Sequence, residues 1–360
     1  MKVIQVMPEF KLAGAEIMCE KLSYALQKLG VEVTIVSLYD CRSPITARLE
    51  AHGLPVIYLG KKRGFDASMV PKLRKIFREI QPDAVHTHLY VDKYAVPAAV
   101  LSGVPKVVHT VHNLAAKETT AAGKLLNQIL FRMHRVIPVA LSEQIQRSVI
   151  SCYGLDREKV PTVCNGVPLE NCLPKQDYTV HSPVQLLHVG RLTRQKNQPE
   201  LLRAVRTLLD KGLPVNLTII GDGDGKEALY QQIREEGMAE VVRHIPQTDN
   251  VYPYLHDADI FVLPSLYEGL PMSVIEAMGT ALPIVASAVG GVPDMIADGR
   301  SGLLCAPDAH SIATCLERMI ENYELRASCG KAAKIEAERF SAQQMAENYR
   351  EIYRRFPLKG

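Results

Sequence analysis

Short apolar runs alternate with stretches of helical spacing along almost the whole chain. In the first half the runs are Val3–Met7, Val33–Leu38, Val56–Leu59, Ala84–His88, Lys106–Val111 and Val136–Ala140. Between them, apolar spacing predicts helices over Ala15–Leu29, Ser68–Ile80, Lys93–Ser102 and Ser142–Cys152, the first followed by Gly30, where a C-terminal glycine belongs. The alternation lapses over 165–183, where Gly166, Pro168, Pro174 and Pro183 suit a linker. A second series then runs through Val184–Val189, Asn216–Ile220, Val241–Ile245, Asp259–Leu263, Pro283–Ala286 and Gly302–Cys305.

Such alternation predicts parallel sheets with helices on both faces. At 360 residues the chain is long for one core, so two Rossmann-like α/β domains are expected, facing each other across a cleft. The expected bounds are 1–168 for the first domain, 169–183 for the linker, 184–340 for the second domain and 341–360 for a last helix. That helix spaces Met345, Tyr349, Ile352, Tyr353 and Phe356 so that it needs an apolar surface to pack on. Ligands of such sheets bind at the C-terminal strand ends.

Composition is that of an ordinary soluble protein, with 22% charged residues. No apolar run approaches the roughly 18–20 residues that span a bilayer, and Met1–Glu9 reads as a first strand, not a signal peptide. A cytoplasmic location is the expectation. The eight cysteines form no C-x-x-C pair and read as buried free thiols. The net charge of +3 is uneven: residues 1–170 hold 22 Lys/Arg against 15 Asp/Glu, and the remainder 20 against 24. Lys61-Lys62-Arg63, Lys72, Arg74, Lys75 and Arg78 contribute, and the segment Lys124–Val136 adds apolar bulk beside Lys124, Arg132 and Arg135. A basic, partly apolar face attracts anionic lipid headgroups; a solvated helix with its apolar side in the core is the other reading. No nucleic-acid motif accompanies the charge, so nucleic acid is not an expected partner.

The chemistry concentrates in Ser265–Met278. Glu268 lies in a loop after an apolar strand, and Glu276 lies on the helix that opens at Pro271. Proline suits a first helical turn. The N–H groups of Met272, Ser273 and Val274 are then free to meet a phosphate at the positive helix end. Phosphate donors between two hydroxyl-seeking carboxylates describe a nucleotide-sugar pocket. Gly190-Arg191 ends the first strand of the second domain, with Lys196 and Asn197 just beyond; alone such a pair reads as a solvated loop, but opposite Glu268–Glu276 two cations at a strand end can neutralise a diphosphate and the charge growing on a leaving phosphate. Gly221-Asp-Gly-Asp-Gly225, Gly290-Gly291 and Gly14-Ala15-Glu16 each follow a strand and read equally as ligand-approaching turns or as plain turns. None is G-x-G-x-x-G, which removes the main support for dinucleotide oxidoreduction. His86, His88, His109 and His112 lie at or past two strand ends. No cysteine or carboxylate joins them at metal-ligand spacing, so a metal site is not expected. A neutral His112 bonding a substrate hydroxyl or phosphate, and a satisfied core histidine at His86, are the readings retained.

Taken together, the ordered set resembles glycosyltransferase family 4, of GT-B fold, over nearly the whole chain. Its strongest element is E-x7-E, Glu268 to Glu276; Gly190-Arg191, Lys196-Asn197, Gly221-Asp-Gly223, Gly290-Gly291, Asn165-Gly166-Val167, Gly14-Ala15-Glu16 and Thr110-Val-His112 fall in family order. Pro246 stands where the family often has glycine, and Asp294 where it more often has glutamate. The resemblance implies a retaining, metal-independent hexosyltransferase with no cofactor, using a nucleotide-sugar as substrate, UDP-sugar favoured. Arg191 and Lys196 then hold the diphosphate, with Gly190, Gly221 and Asp222 among the donor-binding turns. Glu276 bonds the ribose. Glu268 contacts the sugar, helped by Gly269, Leu270, Pro271, Met272 and Ser273. His112 reaches the sugar from the other domain, and Gly14 sits against the phosphates. The last helix crosses back to the first domain. The expected acceptor is a glycan or a lipid-linked sugar in surface polysaccharide assembly, with peripheral contact to the inner membrane face through the basic first domain. A nucleotide-sugar epimerase or hydrolase on the same fold, and a non-catalytic nucleotide-binding partner subunit, are the alternatives.

Overall fold

The computed structural model describes residues 1–11 and 13–355. The chain divides into two compact units. The first holds residues 1–166 together with the helix that starts at Ala342, and the second holds Val167–Ser341.

In the first unit six parallel strands, β1 (Lys2–Met7), β2 (Glu32–Ser37), β3 (Val56–Tyr58), β4 (Ala84–His88), β5 (Val107–Val111) and β6 (Ile137–Ala140), form one sheet in the order β3-β2-β1-β4-β5-β6. Strands β4 and β5 are buried along their whole length, as parallel strands covered on both faces must be. Their sequences are nonetheless not uniformly apolar. Gln5, His86, Thr87, His88, His109 and Thr110 have no solvent exposure, and each such group costs free energy unless it is hydrogen-bonded.

Much of that bonding comes from the last helix, Ala342–Arg355, which packs on the helix Gly14–Lys28. Its Tyr353 hydroxyl lies 2.8 Å from His86 Nδ1, His86 Nε2 lies 2.7 Å from Thr110 Oγ1, and Tyr349 hydroxyl lies 2.7 Å from the same Thr110 Oγ1. His86 is thus a satisfied core histidine. Met345, Ala346 and Ile352 bury the helix's apolar side, while Phe356 lies outside the described residues. His109 Nδ1 sits 3.0 Å from the Asp92 carboxylate. Burial disfavours its charge, but the Asp92 anion outweighs burial and raises the pKa.

Two expectations about the basic face change. Lys61 is only 7% exposed; its ammonium donates to the carbonyl oxygens of Lys62 (2.8 Å) and Gly64 (2.5 Å) and to Tyr39 hydroxyl (3.1 Å), over the Tyr39 ring. It holds its own loop and adds no charge to the surface. Conversely, the helix Ala121–Arg132 buries Phe131 and Asn127 but not its whole apolar side: Leu125, Ile129 and Met133 are 60%, 48% and 58% exposed.

The second unit repeats the architecture with β7 (Val184–Val189), β8 (Val215–Ile220), β9 (Val242–Ile245), β10 (Ile260–Leu263), β11 (Ile284–Ser287) and β12 (Leu303–Cys305), in the order β12-β11-β10-β7-β8-β9. Residues 169–183 belong to this unit's packed body. Cys172 and Tyr178 are buried, and Lys175 bonds the Thr280 carbonyl through its backbone and the Ala258 carbonyl through its ammonium, both at 2.8 Å. All eight cysteines are free thiols; Cys152 is exposed and Cys41 and Cys164 are partly so, while the other five are buried as expected. Among the described residues no helix is long and apolar enough to cross a membrane.

Candidate active site

In each sheet the chain reverses direction of growth between two central strands, β1 and β4 in the first unit, β7 and β10 in the second. Loops that leave such strands diverge and open a crevice. In the second unit these are the loops carrying Arg191–Lys196 and Glu268, which brings the two segments together.

The contact between them is direct. Lys196 Nζ donates to Glu268 Oε1 at 2.6 Å, and Ser265 Oγ donates to the same oxygen at 2.5 Å, with Glu268 almost wholly buried. Backbone and amide bonds hold the loops in register. Leu266 N–H donates to the Gln195 carbonyl (2.8 Å), and Gln195 Nε2 donates to the Tyr267 carbonyl (2.9 Å). Asn197, at φ 57° where asparagine is tolerated, donates its amide to the carbonyls of Pro264 and Pro307, both at 3.0 Å.

Glycines let the backbones close on one another. A Cβ on Gly290 (φ 61°) would lie 1.9 Å from the Glu268 carbonyl oxygen, and one on Gly221 would lie 2.0 Å from that of Gly190. Gly190 itself lies under the Lys196 stem, since a Cβ there would sit 3.2 Å from Lys196 Cδ. The Gly221–Gly225 turn is clipped to the Arg191 loop by Leu192 N–H to the Asp222 carbonyl (2.9 Å) and Gly225 N–H to the Leu192 carbonyl (2.8 Å). The Asp222 carboxylate faces Lys226 at 3.7 Å. Gly291 N–H donates to the Gly269 carbonyl at 2.9 Å.

Beneath Lys196 lies His188 on β7, fully buried. Its Nδ1 donates to the Val262 carbonyl (2.9 Å), and Gln198 Nε2 lies 3.2 Å from its Nε2 while also donating to the Arg191 carbonyl (2.8 Å). Burial pushes its pKa down to about 4, with nearby Lys196 adding to the effect. A neutral imidazole therefore supports the cationic loop.

The helix Met272–Gly279 follows Glu268, with Pro271 one residue before it. No side chain caps it. Val274 N–H, expected to be free, donates instead to the Pro271 carbonyl at 3.2 Å, a tightened first turn. The N–H groups of Met272 and Ser273 remain without a partner among the described residues. Glu276 is half-buried on this helix, and its charge helps raise the pKa of the Cys172 thiol, already pushed up by burial, to about 12. Arg191 is exposed.

In the first unit the helix after β1 begins at Gly14 without a side-chain cap, and a Cβ on Gly14 would meet only open space. His112 lies just past β5, its N–H donating to Glu118 Oε1 at 3.0 Å and its Nε2 3.1 Å from His88 Nδ1. Burial, then the neighbouring His109 charge, push its pKa down to about 3. Among the described residues no group of three or more His, Cys, Asp or Glu is arranged to hold a metal ion.

Sequence comparison matches residues 175–336 to the sequence model described as glycosyl transferases group 1, and residues 12–171 to the one described as glycosyltransferase family 4. The alpha-maltose-1-phosphate synthase of Mycolicibacterium smegmatis is 30% identical over 75% of this chain and 78% of its own. The chain belongs to glycosyltransferase family 4. A D-inositol 3-phosphate glycosyltransferase of Paenarthrobacter aurescens is 27% identical, covering 94% of this chain and 93% of the relative. The fold is GT-B: the structure of Anabaena HepE with UDP and glucose superposes with a TM-score of 0.87 at 18% identity, covering 99% of this chain and 100% of that one.

In this family 4 chain Lys196 meets Glu268 directly, and Gly190 and Gly290 lie against those two segments. Reading the sequence found Arg191, Lys196, Glu268 and the glycines, and placed Ser265 in the motif, but gave no supporting role to Ser265, Gln195, Gln198 or His188. His188 carried a signal, since a histidine inside the apolar run Val184–Val189 must find partners.

Two predictions follow from this geometry. Gly290→Ala forces a Cβ into the Glu268 backbone and displaces the carboxylate, so transfer activity should fall by about 10²-fold, in line with the effect of misplacing a positioned group; kinetics beside a melting curve test this. For His188 the folded pKa of about 4 lies below an unfolded value of about 6.5. The unfolded chain then binds the extra proton, and stability is lost as pH falls from about 6.5 towards 4, by roughly 3 kcal/mol. Denaturation across that window should show this loss in wild type within a larger one to which His86, His88 and His112 also contribute, and His188→Gln should remove about that share of it.

Proposed function

We propose that this glycosyltransferase moves a hexose from a UDP-sugar to a glycan or lipid-linked acceptor with retention of configuration and without a metal ion. The observation that carries the reading is the Lys196–Glu268 pair set beside an uncapped helix N-terminus. A cation and two free N–H groups suit a diphosphate, and a buried carboxylate beside them suits hydroxyl groups. The UDP preference is supported by HepE, whose structure contains UDP and glucose.

In this reading Lys196 and Arg191 bind the diphosphate, joined by the N–H groups of Met272 and Ser273. The backbone turns at Gly190, Gly221 and Asp222, and at Gly269, Leu270 and Pro271, line the donor site. Glu276 bonds the ribose, and Glu268, released in part from Lys196 by the incoming phosphate, turns to the sugar. His112 bonds a group on that sugar and Gly14 sits against the phosphates. The bond from the anomeric carbon to the phosphate oxygen breaks as the acceptor oxygen bonds the same face. The acceptor hydroxyl proton passes to the departing phosphate. No covalent enzyme intermediate is needed, and Arg191 and Lys196 stabilise the charge on the leaving group.

The acceptor side is proposed to lie at an anionic membrane surface. Leu125, Ile129 and Met133 form an exposed stripe at i, i+4 and i+8, flanked by Lys124, Arg132 and Arg135. An apolar stripe bordered by cations fits the headgroup boundary of a bilayer.

A melting-temperature panel with UDP, GDP, ADP and their sugar conjugates tests the donor. UDP and a UDP-sugar should stabilise the wild type, by about 2.7 kcal/mol at a hundredfold excess over Kd, and the Glu276→Ala variant far less. Lys196→Ala should cut kcat/KM by about 10²–10³-fold. No shift with any nucleotide, or an unaltered rate, would remove these assignments. For the membrane, a Leu125→Glu, Ile129→Glu double variant should cease to co-sediment with phosphatidylglycerol vesicles while keeping its melting temperature. Undiminished sedimentation would reject the stripe as the docking surface.

A further inference from the structure

His112 does not stand alone. Its Nε2 lies 3.1 Å from His88 Nδ1, and His88 Nε2 lies 2.8 Å from Gln5 Oε1. Gln5 sits on β1 and His88 ends β4, the adjacent strand, so the line crosses the centre of the first sheet. Gln5 and His88 are both fully buried. Nothing in the sugar-transfer reading requires either residue.

The line has a direction. An amide oxygen only accepts, so the hydrogen in the Gln5–His88 bond belongs to His88 Nε2. A neutral imidazole carries one N–H, which leaves His88 Nδ1 as a lone pair. The hydrogen between the two rings therefore belongs to His112 Nε2. His112 is then left with a bare Nδ1, which makes no hydrogen bond among the described residues. Both rings are kept neutral by burial, His88 well below the usual histidine range. The Glu118 carboxylate, accepting from His112 N–H at 3.0 Å, fixes the backbone from which the ring projects.

We propose that Gln5 and His88 are positioning residues that lock His112 in its Nε2–H tautomer, so that its Nδ1 lone pair selects a hydroxyl of the transferred sugar and not a phosphate oxygen. This rests on the assignment of His112 to the donor and narrows it. A lone pair attracts a hydroxyl hydrogen and repels a phosphate oxygen. Reversal of the Gln5 amide would reverse both rings and give His112 an outward N–H, suited to phosphate instead.

Nitrogen-15 imidazole spectra of the full chain read the tautomers directly. In wild type, His88 and His112 should both be Nε2–H. Gln5→Met, which removes the acceptor but keeps the bulk, should give His112 a mixed population. UDP-glucose should move the His112 Nδ1 resonance, and UDP alone should leave it in place. A His112 Nδ1–H form in wild type, or tautomers unchanged in Gln5→Met, would overturn the relay. A shift with UDP alone would overturn the selection of a hydroxyl. His112→Ala with full transfer activity and the stated wild-type tautomers would instead sink the sugar contact itself, so the two failures are told apart.

Discussion

A carboxylate withdrawn from water has to be answered by charge or hydrogen bonds, and the second unit is arranged around meeting that requirement at Glu268. Lys196 and Ser265 both donate to one of its oxygens. Removing one partner from a buried pair leaves the other charge uncompensated, at a cost of about 3–5 kcal/mol. Everything nearby serves to keep that meeting in register. Asn197 and Gln195 tie the lysine loop to the carboxylate loop, Gly290 lets a third loop lie against the Glu268 backbone, and neutral His188 supports the base without adding a competing positive charge. In the absence of a diphosphate the lysine's charge is spent on the glutamate. Under the proposed function, a diphosphate that competes for that ammonium also frees the carboxylate, which would couple the two events through one group.

The first unit solves a related problem with neutral groups. Three histidines, a glutamine and two threonines stand inside its sheet, and ionising any of the depressed imidazoles there carries a desolvation cost. They form hydrogen-bonded lines instead of ion pairs, apart from His109 beside Asp92. Neutral lines transmit orientation where ion pairs transmit charge. The two units therefore bring different chemistry to their strand ends, one a strong local field and the other a set of directed lone pairs and N–H groups.

Much of this was legible in the sequence. The twelve strands lie within a residue or two of their expected places, because buried parallel strands read as apolar runs between turn residues. The Glu268 loop with the helix that follows it, and the cationic loop, were visible for a similar reason: proline and glycine mark where backbone must turn. The rest was hidden by tertiary pairing. Lys61 looks like any surface lysine in a basic run, and only the fold brings Tyr39 and two carbonyls to its ammonium. Gln5 interrupts an apolar strand, which signals a buried partner, but a partner 83 residues away in sequence cannot be named from spacing. Val274 turns on a single backbone choice between two kinds of helical turn, which side-chain pattern does not encode.

The returning helix Ala342–Arg355 also sets an order in time. His86 and Thr110 belong to strands made before the second unit, while the tyrosines that satisfy them are made after it. On a ribosome adding roughly 5–20 residues per second, the second unit takes about 10 to 35 s to make, and the first waits through that time for its final helix. During that interval the nascent sheet has polar groups with no partner and an apolar groove with no cover. The unit begun first is therefore completed only after the second, and the length of that delay is set by where the two tyrosines stand in the sequence.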